Sequence, residues 1–194
     1  MNATRGAVVA ALLLLAAGLT GCDGSTPGPE PTAASESAGA PEETATLTPT
    51  PTPTAAPVAI PDDCRAILSD EVLAELDGVP LNDPAVGVGG KQSDGSLECN
   101  WRDPRADTTG LYTVIAYMNR GPALDMLNQL ADDEGYTCFT PDGGTRCEKT
   151  WQNDTYPVTD GRTLFWRDGV LIDTTYSNLA PTGYTASIVA HLFD

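Results

Sequence analysis

The chain offers few side chains for nucleophilic or acid–base chemistry. It carries one histidine, His191, and five cysteines among 194 residues. A Ser-His-Asp arrangement would have to pass through His191, which sits near the chain end, where a histidine ordinarily serves a helix terminus or the surface. Paired carboxylates are the other option, since glycoside hydrolysis needs only two acids flanking a cleft. With 27 Asp and Glu residues a chance pair is inevitable, so their number decides nothing. Asp173 stands out because it falls within the apolar run Val170-Leu171-Ile172-Asp173-Thr174. On the same face as Leu164 and Trp166 its pKa would be raised by burial. Partnered by Arg162 or a threonine hydroxyl, or facing water, it is an ordinary structural acid. Asp132, Asp133 and Glu134 carry oxygens of the kind calcium takes, but lack the spaced ligands of an EF-hand loop and read as a solvated helix end. We therefore expect no catalytic set, no metal site and no cofactor.

Binding needs less than catalysis, and aromatic residues are the candidates for it. Trp101, Trp151, Trp166, Tyr112, Tyr117 and Tyr176 fall on predicted strands, where most are expected in the core. The last hairpin is apolar on both faces, and helices on one side of a sheet cannot bury both. A groove around Leu164, Trp166 and Leu171, with Asp173 beside it, would suit a hydrophobic ligand or partner. Asn153-Asp154-Thr155 fits the N-glycosylation pattern.

The elements that must position these residues read as α+β. Asp62 and Asp63 open a helical stretch with Cys64, Ile67 and Leu68 on one side; Ser69 caps a second turn carrying Val72, Leu73 and Leu76. Gly78 to Ser96 is glycine-rich and irregular. Leu97, Cys99 and Trp101 alternate with polar residues as on a half-buried strand, and Leu111 to Met118 reads as a central strand. Gly121-Pro122 starts a helix carrying Leu124, Leu127 and Leu130. The acids at its C-terminus oppose the helix dipole, so that end is weak unless a cation sits there. Thr163–Arg167 and Val170–Thr174 flank Asp168-Gly169, the preferred chemistry for a type I′ hairpin, with Trp166 facing Leu171 and Phe165 facing Ile172. Pro181 to Phe193 closes the chain as a helix with Ile188, Val189 and Leu192 inward. The expected architecture is an antiparallel sheet of four to six strands with helices packed mainly on one face.

Cys64, Cys99, Cys138 and Cys147 allow three pairings. Cys138 and Cys147 flank a Pro141-Asp142-Gly143-Gly144 turn, which a local bridge closes naturally. Cys64 then pairs with Cys99, stabilising the fold by about 3–4 kcal/mol through loop closure. No Cys/His spacing suits zinc.

The fifth cysteine, Cys22, closes the N-terminal segment. Arg5, an apolar run from Ala7 to Leu19 and small residues before a cut make a secretory signal, and the run is too short for a transmembrane helix. Leu19-Thr20-Gly21-Cys22 resembles the lipobox of bacterial lipoproteins, which implies cleavage before Cys22 and a diacylglycerol on its thiol. A plain cleaved signal would instead leave an odd cysteine in an oxidising compartment. From Asp23 to about Pro57 the chain turns Thr/Pro-rich, with half of its 16 prolines. Proline fixes φ and restricts the preceding residue, so this disordered tether is extended and reaches up to ~110 Å. Pro-rich stretches also dock on aromatic grooves and Thr/Pro tracts take O-glycans, but a spacer is the simpler reading.

The organisation is thus a signal peptide (1–21), a lipidated cysteine and tether (22–57), and one extracytoplasmic domain (58–194). The domain has 22 acidic against 9 basic residues, which disfavours nucleic acid and anionic lipid surfaces as partners. Lipobox, spacer, the Cys64 and Cys99-x-Trp101 pattern, second cysteine pair, Arg-Asp-Gly hairpin and closing helix together resemble small, uncharacterised actinobacterial secreted lipoproteins. That resemblance implies a membrane-anchored domain and transfers no catalytic residue. The expectation is a monomeric, non-catalytic binding or accessory domain on the outer side of the cell membrane, held by the lipid on Cys22 and engaging an envelope ligand or protein. The alternatives are a carboxylate hydrolase acting on wall glycan or peptide, and a structural subunit of an envelope complex.

Overall fold

A computed structural model describes residues 57–194, which belong to one compact unit. The predicted signal peptide, Cys22 and all but the last residue of the tether lie outside the described residues. The elements run α1 (Asp70–Glu75), β1 (Gly90–Lys91), β2 (Leu97–Trp101), β3 (Gly110–Tyr117), α2 (Arg120–Glu134), β4 (Thr137–Phe139), β5 (Thr145–Gln152), β6 (Thr159–Arg167), β7 (Val170–Ser177) and α3 (Tyr184–Phe193).

The fold is α+β, built on one antiparallel sheet in the order β1-β2-β3-β7-β6-β5-β4. It has seven strands, more than the four to six expected. Both edge strands, of two and three residues, are too short to show alternation in sequence. The helices also divide: α1 and α3 pack on one face, with Leu97, Cys99, Trp101, Phe165 and Ile172, while α2 packs on the other, with Cys147, Leu164 and Leu171. The disulfides are Cys64–Cys99, tying the segment before α1 to β2, and Cys138–Cys147, directly across the β4–β5 ladder.

Local chemistry sets the boundaries. Residues 64–67 form turns and no helix, and α1 begins after Ser69. The Ser69 hydroxyl accepts from the Val72 amide (3.4 Å) while its own amide donates to Ser187 Oγ on α3 (2.6 Å), a bond a mid-helix residue could not make. Asp168 and Gly169 take φ of 48° and 84°, the two positive values a type I′ turn requires. α2 ends at Gly135 in the left-handed region, and its acidic last turn does have a cation: Lys149 Nζ, from β5, donates to the Glu134 carbonyl (2.5 Å). On the α1/α3 face the hydroxyls of Thr113, Thr174 and Tyr184 meet at 3.0 Å, so these three buried hydroxyls satisfy one another, while the Trp101 indole N–H beside them is buried without a partner. Burial pushes the Tyr184 phenol up to about 12.

Candidate functional site

The side chains on the α2 face fall into rows fixed by the strand register. Thr145, Trp166, Leu171 and Ala116 make the row nearest the β6–β7 hairpin; Cys147, Leu164, Asp173, Val114 and Glu98 make the next. Lys149, Arg162, Thr175, Tyr112 and Asn100 follow, then Trp151, Asp160 and Ser177. α2 covers the first rows. Leu164 and Leu171 are buried beneath it, and half-buried Trp166 packs with them while its indole donates to the Met118 carbonyl (2.8 Å). The predicted hydrophobic groove at Leu164, Trp166 and Leu171 is therefore filled by α2. A helix on the second face solves the problem of an apolar hairpin that helices on one face cannot cover.

Asp173 does share a face with Leu164 and Trp166, and Arg162 partners it in a bidentate pair, Nε donating to Oδ1 (2.9 Å) and Nη2 to Oδ2 (2.7 Å). That pairing raises Arg162 above its ordinary value, against the opposing effect of burial. Beside it Tyr112 donates to Glu98 (2.9 Å); burial first, then that bond, pushes the phenol up to about 12. This polar belt separates the covered end from the open one.

Beyond the belt the face opens into a cleft of about 700 Å³, within the usual size of small-ligand sites. Its floor is Asn100, Arg102, Tyr112, Asp160, Thr175 and Ser177, and its walls are three loops. The β2–β3 loop is pinned by Arg102, which donates to the carbonyls of Ala106 (3.3 Å) and Asp107 (3.4 Å), and by Ser177, whose hydroxyl donates to the Thr108 carbonyl (3.1 Å). The loop before β1, contributing Val86–Val88, is fixed where the Asn82 side-chain oxygen accepts from the Asn100 amide (2.8 Å). The β5–β6 loop is built on Asn153, whose side-chain oxygen accepts from the Thr155 and Tyr156 amides (both 2.9 Å) and whose NH₂ donates to Asp160 Oδ2 (2.7 Å). With both ends so used, Asn153 serves the turn and is poorly placed as a glycosylation acceptor.

Two aromatics stand on this framework. Trp151 is the last residue but one of β5 and is 40 % exposed; Tyr156 lies in the following loop and is 49 % exposed. Asp160 sits beneath them and accepts from the Asn153 amide at Oδ2 (2.7 Å). The Ser177 proton goes to Thr108, so only Asn153 makes a well-formed bond, and Asp160 Oδ1 is buried without one. The cleft escaped sequence reasoning because its floor alternates with core residues and its walls are loops without a motif. The exposed aromatic pair flanking Asn153-Asp154-Thr155 was the available signal.

The remaining candidates lie elsewhere. His191 is exposed in the last turn of α3, where its charge would complement the helix dipole. Asp132, Asp133 and Glu134 are exposed, and among the described residues no group of His, Cys, Asp and Glu side chains is placed to hold a metal. Among them, too, no helix is long and apolar enough to cross a membrane.

No family model matches the chain, and no curated protein matches it. Among solved structures it is similar to a protein from Bacteroides thetaiotaomicron VPI-5482, at 11% identity and a TM-score of 0.33, over 53% of this chain and 39% of that one. The chain thus spans well under half of that protein, and the likeness carries no functional argument.

Proposed function

We propose that this chain is a membrane-anchored extracytoplasmic lipoprotein whose monomeric folded domain binds an envelope ligand without transforming it. The observation that carries the reading is the open end of the α2 face, where Trp151 on β5 and Tyr156 in the β5–β6 loop stand over a polar floor walled by three loops. Two disulfides accord with an oxidising compartment, and Leu19-Thr20-Gly21-Cys22 supplies the anchor. Asp107 and Asp160 both line the cleft and are the acids a carboxylate hydrolase would have to use.

Two measurements test this. Palmitate labelling and membrane fractionation of cells expressing the chain should show a lipidated membrane protein, and Cys22→Ala should abolish the labelling; a labelled variant would refute the anchor. Thermal unfolding of the oxidised protein against calcium, muropeptides, glycans and lipids should show stabilisation by one class. A ligand at a hundred times its Kd adds about 2.7 kcal/mol. Turnover of any panel member would overturn the non-catalytic reading.

A further inference from the structure

We infer that the cleft takes an uncharged carbohydrate chain, stacked on Trp151 and Tyr156; this rests on the binding reading above and names its ligand class. Three observations select sugar over other envelope chemistries. The first is charge. Arg102, Asp107 and Asp160 are the charged residues lining the cleft, so it is close to neutral on a domain with 22 acids and 9 bases. A site for a cation would concentrate the acidity, and a site for phosphate or nucleic acid would need more bases.

The second is the backbone. The floor side chains come from the end of β2 and from β3, β6 and β7, and the last three are paired on both sides along the cleft. Their N–H and C=O groups are spent in the ladder, so the floor itself offers no strand edge to a peptide; the unpaired edge nearby is the outer side of β5 beyond Glu148. Side chains must do the recognition, and here they are amides and hydroxyls: Asn100, Thr108, Thr109, Thr175.

The third is the pairing of those groups with flat apolar surface. A pyranose carries hydroxyls around its rim and C–H bonds on its faces. The C–H face packs on the electron-rich face of an aromatic ring, and the rim meets groups that both donate and accept. An acyl chain would need closed apolar walls, whereas this cleft is open to solvent.

The placement within the domain suits the tether. The start of the domain is fixed at the opposite end of the sheet: the Ile60 amide donates to the Tyr117 hydroxyl (3.4 Å), and Lys91 Nζ donates to the Ile60 carbonyl (2.5 Å) and pairs with Asp62 (3.2 Å). The cleft lies at the Gly110 end of β3 and Tyr117 at the other, eight residues along the strand, or roughly 23 Å at 3.3 Å per residue. A domain held from its first residues presents the cleft away from its attachment.

The test uses the mature chain from position 22 onward, disulfides intact, with Cys22→Ser so that no lipid is attached. Indole N–H resonances are followed during titration with cellotetraose, chitotetraose and maltotetraose, and separately with tetralysine. At least one tetrasaccharide should shift the Trp151 resonance with a Kd below about 1 mM. Trp151→Ala and Tyr156→Ala should each weaken it by tenfold or more (~10-fold per 1.4 kcal/mol), Trp151→Phe should restore much of it, and Tyr117→Ala, an exposed aromatic at the far end, should leave it unchanged. Silence of Trp151 towards all three sugars overturns the inference, as does binding that survives both alanine variants with their folding intact. A shift by tetralysine alone overturns the sugar and leaves the binding reading standing. Binding followed by cleavage of the tetrasaccharide, seen by chromatography, supports the sugar and overturns the non-catalytic reading.

Discussion

One sheet face carries two different surfaces a few residues apart. Towards the hairpin, Leu164, Leu171 and Cys147 lie buried under α2; towards the other end, Thr175 and Trp151 stand exposed among polar neighbours. The strands are the same and so is their alternation. What differs is the covering element: α2 covers the hairpin end, while the open end is rimmed only by loops. A sheet face with no second layer stays wet, and its residues are freed from packing. The opposite face, under α1 and α3, has its own core along the same strands. The comparison separates residues that hold the fold from residues available to a ligand.

Truncations at the two ends should separate most widely. Leu164→Ala opens a cavity under α2 and should cost about 3–5 kcal/mol in denaturant unfolding. Trp151→Ala, at the open end, should cost about 1 kcal/mol or less. Equal costs would mean that the open end is core and that the cleft has been misjudged. The belt between them comes next. Asp173→Ala leaves Arg162 half-buried and unpaired, and should cost about 2 kcal/mol, less than for a fully buried pair. Loss below about 0.5 kcal/mol would show that water already reaches the belt.

The two ends were not equally legible in the sequence. The hairpin was readable because Asp168-Gly169 admits almost one turn, and the turn fixes which residues face each other. Ser69 was readable as a cap because its hydroxyl competes for the next turn's amides. The position of α2 was not, because periodicity identifies a buried stripe on a helix without saying which sheet face receives it. Leu164, Trp166 and Leu171 therefore read as an unfilled groove when they are the seat of α2. Asp173 could be weighed only as partnered or not; Arg162 lies 11 residues away in sequence and next to it across the β6–β7 ladder. The cleft depends on hydrogen bonds between loops distant in sequence, such as Ser177 to Thr108. No local pattern encodes those.

Alkaline pH gives a smaller contrast between the faces. Tyr184 on the α1/α3 face and Tyr112 on the α2 face both sit near 12 against an ordinary 10.0. Each native state holds its phenol proton more tightly than the unfolded chain does. The stability they contribute is therefore whole below pH 10 and drains away as pH rises through about 12. Tyr112→Phe should remove its share of that alkaline loss and forfeit about 1 kcal/mol at neutral pH from the bond to Glu98. Tyr184→Phe should do the same through Thr113. If neither variant changes the alkaline limb of the stability curve, other groups govern it.

The smallest effect tests why α2 stops where it does and so where the covered end gives way to the open one. Asp132, Asp133 and Glu134 place negative charge at the negative pole of the helix, and Lys149 Nζ answers it at the Glu134 carbonyl. Lys149→Met keeps most of the side-chain stem but removes the cation, so the last turn should fray. The expected loss is about 0.5–1 kcal/mol at low salt, shrinking as ionic strength rises and the Debye length falls below about 10 Å. Amide exchange should quicken at 131–135 and stay slow at Leu127, whose side chain is seated under the helix. Fraying that spread to Leu127 would make the cation, and not the apolar seat, the anchor of α2. A loss independent of salt would mean that Lys149 acts through packing on Tyr136, whose ring it approaches at 5.7 Å.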